Sequence, residues 1–347
     1  ATISGTAVVS LNGASPSLRG ITFNNAAATY NIAQGSSGSL TLSGSGGAAT
    51  VDVLAGSQII SAPLTLGTSV NIAVAAGSQL TVNGAISGTS GSDLNLTGPG
   101  TTIFSGTSSY TGNTNVNAGE LLLAGALGNT AVSVGSGATL AGNGSILGDV
   151  TVLSGGTISP GTGPYDAAGP ASYATLTVGD LSLGGAASTA TTLMDIKGVG
   201  TGAGVAGVNY DQIAAHNITY GGDLVLNFWT TDSFATWTVF HLFDMTGVAF
   251  EHLASLSIGT GAEGNVYAGL SFKYVADGEW VADGGSDKPT LKFSEKSGDL
   301  TVALVPEPST LLIAGIGVAM TFYQARRKAA RRRQRLQANA VVGSVSA

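Results

Sequence analysis

The chain lacks cysteine, has few aromatic residues and, over most of its length, carries very few basic residues. Cysteine is absent from all 347 residues, which excludes disulfide bonds and thiolate metal sites. Aromatic side chains make up 6% of the sequence and charged ones 10%, so a core built on large side chains is not expected. The 53 glycines follow no Gly-X-Y period. Together with plentiful small apolar residues they predict a turn-rich β protein.

Basic residues are scarce before the C-terminal region. Only six Lys and Arg precede residue 306, against 19 Asp and Glu, so this part has a formal net charge of −13. A body this acidic is not expected to bind nucleic acid, because phosphate contacts need clustered bases. The sequence begins at Ala1 without an apolar leader. We expect either that an export signal was removed or that the sequence is a fragment.

Short strand-like runs recur through the first half at intervals of 18 to 23 residues. Each begins with an apolar residue a few positions after Gly or Ser: Ile21, Leu40, Ile59, Leu80, Ile103, Leu121, Leu140, Ile158 and Leu176. A glycine at each corner allows the positive φ of a sharp turn, and each short run alternates inward and outward side chains. One such coil cannot bury its own apolar face, so the pattern predicts a stacked β-solenoid. A β-sandwich with similar turn spacing is the alternative.

Residues 98–129 resemble the autotransporter-associated β-strand repeat, also called the passenger-associated transport repeat. The resemblance depends on these residues: Ser105, Gly106, Tyr110, Thr111, Gly112, Val116, Ala118, Gly119 and Leu121. Asn113 replaces the glycine that usually follows Tyr-Thr-Gly in this family. The family implies a right-handed parallel β-helix on a bacterial surface and no catalytic residues. We therefore assign residues 1–180 to the solenoid.

The pattern changes in the second half, where strands lengthen and aromatic residues concentrate. Residues 181–304 are interpreted as a β-rich end region that covers the open end of the solenoid, which otherwise exposes unpaired strand groups. The stretch Tyr210-Asp211-Gln212-Ile213 resembles a Tyr-Asp-Gln-Leu stretch common after such repeats.

Few residues suggest catalysis or metal binding. Asp211 and His216 could belong to a triad with a nearby serine, but no nucleophile elbow is present. Four acids lie on a Gly-rich loop: Asp277, Glu279, Asp283 and Asp287. Their spacing matches no calcium motif, so a solvated loop is the favoured interpretation, with calcium binding as the alternative. The acids of residues 1–180 are scattered, so we predict no enzyme, no metal and no cofactor. A polysaccharide lyase or hydrolase on a β-helix scaffold remains the alternative and needs two carboxylates in one groove.

The C-terminal region has three parts in a fixed order. Pro306, Glu307, Pro308 and Ser309 come first, and Ser309 or Thr310 can cap a helix. An apolar run from 311 to 323 follows, with predicted membrane-facing residues Leu311, Leu312, Ile313, Ile316, Val318, Met320 and Phe322. This short hydrophobic helix is somewhat below the length of a full span. A basic cluster comes third: Arg326, Arg327, Lys328, Arg331, Arg332, Arg333 and Arg335. The positive-inside rule keeps these bases in the cytoplasm and the acidic body outside.

This tripartite order, over residues 305–335, resembles the PEP-CTERM sorting signal. The resemblance implies transient residence in the inner membrane and cleavage near Pro-Glu-Pro by an exosortase, a membrane cysteine peptidase. Residues 336–347, expected to be a disordered tail, depart from the usual short ending. We therefore expect a non-enzymatic structural or adhesion protein of a Gram-negative-type bacterium, exported to the cell surface or extracellular matrix, where it contacts exopolysaccharide or other cells.

Overall fold

The computed structural model describes residues 5–88, 91–161, 173–185, 187–197, 204–229, 238–259, 267–285 and 288–303. Within these ranges it contains 36 strands, numbered β1 to β36 along the chain, and no helix. No helix in the described ranges is long and apolar enough to cross a membrane. The predicted segment 311–323 lies outside them. The all-β fold class is confirmed for the described part.

Two long parallel sheets run along the described coils. Sheet A has eleven strands in this order: β1 (Gly5–Ser10), β4 (Ala28–Ala33), β7 (Ser57–Ile60), β10 (Gln79–Val82), β13 (Thr101–Phe104), β16 (Gly119–Leu123), β19 (Ala138–Gly142), β22 (Thr157–Pro160), β25 (Thr191–Ile196), β28 (Asp223–Phe228) and β32 (Ser255–Ile258). Sheet C has ten: β3 (Gly20–Asn24), β6 (Ala49–Ala55), β9 (Val70–Val74), β12 (Leu94–Leu96), β15 (Thr114–Val116), β18 (Val132–Val134), β21 (Val150–Val152), β24 (Leu181–Ser182), β27 (Ile218–Thr219) and β31 (Ala249–Phe250).

A third side is formed by two shorter parallel sheets. Sheet B has four strands: β2 (Ser17–Leu18), β5 (Leu40–Leu42), β8 (Leu64–Leu66) and β11 (Ile86–Gly88). Sheet D has six: β14 (Thr107–Ser108), β17 (Ala126–Leu127), β20 (Ser145–Ile146), β23 (Thr175–Thr177), β26 (Gln212–Ala215) and β30 (Phe243–Met245). The Ser109 amide donates to the Ile86 carbonyl at 2.8 Å, which links the two sheets into one side.

The chain visits these three sides in turn, and each strand pairs in parallel with its equivalent one coil later. Side chains alternate strictly: in Val70–Val74 and Leu94–Leu96 every second residue is buried. Buried Val, Leu and Ile therefore form columns along the axis, and each fully buried side chain contributes about 1.5–3 kcal/mol. This connectivity is consistent with a β-helix, as predicted, and the handedness of its coil stays a prediction.

Coil length varies more than the sequence pattern suggested. The aligned inward positions Thr102, Leu121, Leu140 and Ile158 are 19, 19 and 18 residues apart, close to the predicted period. The next aligned positions, Thr192 and Leu224, follow after 34 and then 32 residues.

Three of the nine predicted coil starts do not lie in sheet A. Ile21 lies in sheet C, Leu40 in sheet B and Leu176 in sheet D. The alternation of a strand is the same on all three sides of a coil, so a local apolar run does not reveal which side it belongs to.

The parallel sheets continue past residue 180, where we expected the end region to begin. Between Leu181 and Ile258 sheets A and C each gain three strands and sheet D gains two. The change in sequence pattern thus accompanies longer connections between sheets A and D, while the sheets themselves remain parallel.

An antiparallel end sheet lies against the last coils. Its five strands are, in order, β29 (Thr238–His241), β36 (Asp299–Ala303), β35 (Thr290–Ser294), β34 (Glu279–Ala282) and β33 (Lys273–Ala276). Phe293 packs edge-on to Tyr220 and Phe243, with ring centroids 6.4 and 6.1 Å apart. Phe240 packs in the same way on Tyr210 at 5.3 Å. Aromatic side chains thus fill the interface between the last described coils and the end sheet.

Candidate functional site

The predicted sorting residues follow the last strand of the end sheet in the sequence. The motif residues Pro306 to Ser309, the membrane segment and the basic cluster are all outside the described ranges. The last described strand, β36, ends at Ala303 and pairs with β29 on one side and β35 on the other. The sorting segment therefore begins directly after a strand held on both edges.

Two buried carboxylates meet at the corner between sheets A and D in the long coils. Asp211 is fully buried; its Oδ1 accepts from the Ala174 amide at 3.0 Å and its Oδ2 from the Asp195 amide at 2.9 Å. Because Ala174 belongs to the preceding coil, the Asp211 side chain ties two coils together. Burial raises the pKa of this carboxyl well above its usual range.

Asp195 extends this network to the next coil. Its Oδ1 accepts from Asn227 Nδ2 and from Trp229 Nε1, both at 2.9 Å. The residue is 4% exposed, and burial raises its pKa. The two carboxylates act as acceptors inside the wall of the solenoid, so they lack the open groove that glycoside hydrolysis requires.

The residues beside Asp211 also connect neighbouring coils. Gln212 accepts from the Thr175 hydroxyl at 3.3 Å and donates to the His241 carbonyl at 2.9 Å. The Tyr210-Asp211-Gln212-Ile213 stretch thus contacts the coil before it and the coil after it. This arrangement gives the stretch a structural role that its sequence alone did not show.

Asp211 and His216, the two residues considered for a triad, bond different partners. His216 Nδ1 lies 3.0 Å from Asp180 Oδ1, and the hydrogen bonds of Asn217 and His216 lower the Asp180 pKa. Asp211 is buried and already accepts two backbone amides. A triad built on these two residues is therefore excluded.

Described acids of the Asp277–Asp287 loop make local contacts. Asp283 Oδ1 accepts from the Gly285 amide at 2.9 Å, and Glu279 pairs with Lys292 at 2.8 Å. Within the described residues no group of three or more acidic, His or Cys side chains could hold a metal ion. Asp287 lies outside them, so nothing in the described part favours calcium over a solvated loop.

Tyr110 of the predicted repeat is fully buried inside the solenoid. Its hydroxyl is 2.5 Å from Thr114 Oγ1, which lies 3.0 Å from Thr130 Oγ1; the Thr130 hydroxyl donates to the Gly112 carbonyl at 2.5 Å. Burial raises the Tyr110 pKa to about 12. The Tyr-Thr-Gly stretch therefore anchors one corner through a chain of buried hydroxyls, which is a structural role.

A row of hydrogen bonds from backbone amides to Asp side chains, which sequence reasoning missed, lies at the corner before sheet C. The Asp93 side chain accepts from the Asn113 amide at 2.8 Å, Asp149 from the Asp180 amide at 3.0 Å, and Asp180 from the Asn217 amide at 3.1 Å. Each side chain bonds the backbone one coil further on. The available signal was the recurrence of Asp or Asn directly before a strand of sheet C.

Two comparisons with known proteins bear on the function. Residues 304–328 match the PEP-CTERM protein-sorting motif, so the predicted resemblance of the C-terminal region is confirmed at that position. The match begins one residue after β36 ends. The motif implies recognition by an exosortase in general.

The chain is also similar to an adhesin. A stretch of 67 residues is 48% identical to the adhesin BmaC autotransporter of Brucella suis biovar 1 (strain 1330). The match covers 19% of this chain and 2% of the adhesin. Together, the two similarities indicate an exported, surface-associated protein.

Proposed function

We propose that this chain is a non-enzymatic surface protein whose rod makes structural or adhesive contacts outside the cell. Support comes from the sorting motif at residues 304–328, which follows the last strand of the end sheet. The partial similarity to an adhesin supports the same class. We further propose that the coil is right-handed and carries autotransporter-associated repeats around residues 98–129.

In this proposal the C-terminal segment holds the protein in the inner membrane until an exosortase-type peptidase cuts near Pro306–Pro308. The apolar run stops export, and the bases from Arg326 to Arg335 stay in the cytoplasm. Because β36 ends at Ala303, a cut near Pro306–Pro308 leaves every described strand in the mature protein. The released rod then reaches the surface or the extracellular matrix of a Gram-negative-type bacterium.

An experiment on cleavage tests this function. Cells expressing the full chain are fractionated, and the C-terminus of the surface-recovered protein is determined by mass spectrometry. We expect a C-terminus near Pro306–Pro308 and loss of the basic cluster. A variant with Pro306, Glu307 and Pro308 all changed to Ala should remain uncut in the membrane fraction, whereas Ser344→Ala in the tail should behave as wild type.

Recovery of surface protein that retains Arg326–Arg335 would contradict sorting by cleavage. If the triple-Ala variant stays uncut and still reaches the surface at wild-type levels, export does not depend on this motif.

A further inference from the structure

The outer face of sheet C presents a row of uncharged residues, most of which have polar side chains. One outward position from each strand is aligned by the strand register, and after Gly20 at its first position the row reads Thr50, Asn71, Asn95, Asn115, Ser133, Thr151, Ser182, Thr219 and Phe250. Parallel strands lie about 4.8 Å apart, so hydroxyl and amide groups repeat along the axis at this interval. We call this row the sheet C track.

Side-chain hydrogen bonds hold the middle of the track in one arrangement. Asn95 Nδ2 donates to Asn71 Oδ1 at 3.0 Å, Asn115 Nδ2 donates to Asn95 Oδ1 at 2.9 Å, and Ser133 Oγ donates to Asn115 Oδ1 at 2.9 Å. Each amide oxygen is used, while each Nδ2 has a second N–H available for another acceptor. Because these groups are already ordered, a ligand that bonds them loses little side-chain entropy.

The track is uncharged on a strongly acidic protein. Its ten aligned positions contain no Asp, Glu, Lys or Arg, although residues 1–305 carry 19 acids. Acids lie along one edge of the track, at Asp93, Asp149 and Asp180. Asp52, two residues after Thr50 on the same face, lies on the opposite edge. Their charge would repel an anionic polymer, so the electrostatics favour a neutral ligand over an acidic polysaccharide or a nucleic acid.

Apolar side chains mark the end of the track nearest the end sheet. Phe250, which follows Thr219 in the register, is 51% exposed, and Val248 beside it is 53% exposed. An exposed aromatic ring next to hydrogen-bonding groups suits a ligand with an apolar face and a polar rim, as a pyranose ring has.

We propose that the sheet C track binds an extended neutral polysaccharide that lies parallel to the solenoid axis. Hydroxyl groups of successive sugar units accept from the Asn amides and bond the Ser and Thr hydroxyls, and one sugar ring packs on Phe250. This inference rests on the proposed surface function and specifies the class of polymer that the rod contacts.

Affinity gel electrophoresis of the purified full chain in detergent tests the proposal. Gels contain hydroxyethylcellulose, dextran or the anionic alginate, and retardation gives the apparent Kd for each. The variant Thr151→Arg places a long charged side chain in the middle of the track. Thr139→Arg adds the same side chain on sheet A, where Thr139 faces outward, and serves as the matched control.

We expect retardation by at least one neutral glucan and none by alginate. Thr151→Arg should weaken binding about tenfold or more, Phe250→Leu about threefold, and Thr139→Arg should leave Kd unchanged. Circular dichroism of each variant establishes that it is folded.

Three results would overturn the proposal that the track binds a neutral polysaccharide. They are binding to alginate alone, no binding to either neutral glucan, and an equal loss of affinity in the two Arg variants. These results would leave the proposed surface function intact, because cleavage and export are measured separately. Tight glucan binding by a protein that is never exported would overturn only the function.

Discussion

The short coils from Thr102 to Ile158 and the long coils from Ile158 to Leu256 share the same sheets but are stabilised differently. In the short coils aligned Leu, Ile and Val fill the interior, and the corners are held by hydroxyls such as those of Thr114 and Thr130. The long coils add buried carboxylates and aromatic rings at one corner. Longer connections contain more backbone amides that need partners, so the added polar groups compensate for the lost regularity.

The largest expected difference concerns the corner carboxylates. Asp211→Ala removes the acceptor of two buried amides, so we expect it to lower the free energy of unfolding by roughly 2–6 kcal/mol. Asp149→Ala, at an exposed corner of the short coils, should cost less than about 1 kcal/mol. Urea unfolding followed by circular dichroism measures both, and similar costs would contradict the contrast.

Two glycines with similar backbone angles differ in their surroundings. A Cβ on Gly119 (φ +68°) would lie 2.3 Å from the Gly100 carbonyl oxygen, whereas one on Gly137 (φ +75°) would meet nothing within 4 Å. Gly137→Ala should therefore cost about 1 kcal/mol of strain alone. Gly119→Ala adds a clash with backbone and should cost about 3 kcal/mol or more. Thermal unfolding of the two variants checks this order, and a reversed order would show that the corner can shift.

Two buried tyrosines offer a smaller contrast. The Tyr110 hydroxyl bonds Thr114, so Tyr110→Phe should cost about 1 kcal/mol. The Tyr220 hydroxyl, between the long coils and the end sheet, is buried and has no hydrogen-bond partner among the described residues. Tyr220→Phe should therefore be neutral or stabilising by up to about 1 kcal/mol. Denaturation midpoints of both variants measure these changes in stability. A clear loss of stability in Tyr220→Phe would indicate a partner for this hydroxyl.

The smallest expected effect is a pH dependence that comes from Asp195. Burial raises its pKa above the unfolded value, so the folded state holds this proton to higher pH. Its contribution to stability is greatest below the unfolded pKa of about 3.9 and falls as pH rises toward the raised folded pKa.

Asp195→Asn removes this contribution, so the variant should gain stability relative to wild type as the pH rises from about 4 to 7. Unfolding at several pH values measures the difference between the two proteins. A pH-independent difference, or one with the opposite sign, would contradict the raised pKa.

Much of the first half of the fold was predictable because strand alternation and corner glycines are local signals. Leu80, Leu121, Leu140 and Ile158 all lie in sheet A and face inward, as the period predicted. Ile59 and Ile103 lie in the same sheet but are only partly buried, because the predicted start was one residue away from the inward position.

The candidate site divides in a similar way. The Pro306-Glu307-Pro308 motif and the Arg cluster were recognisable from their order along the chain, which needs no structure. The hydrogen bonds of Asp195 and Asp211 could not be recognised from the sequence. Their partners Ala174, Asn227 and Trp229 come from the coils before and after them. Only the stacking of long coils brings these residues together.

The sequence by itself determined the β character, the stacking of coils and the C-terminal sorting motif, because each depends on residues close together in the chain. The tertiary structure alone decided which side of the coil each strand occupies, where the coils lengthen and which outward residues align into the sheet C track. Alignment along the axis joins residues separated by a whole coil of variable length, and a local pattern contains no measure of that length.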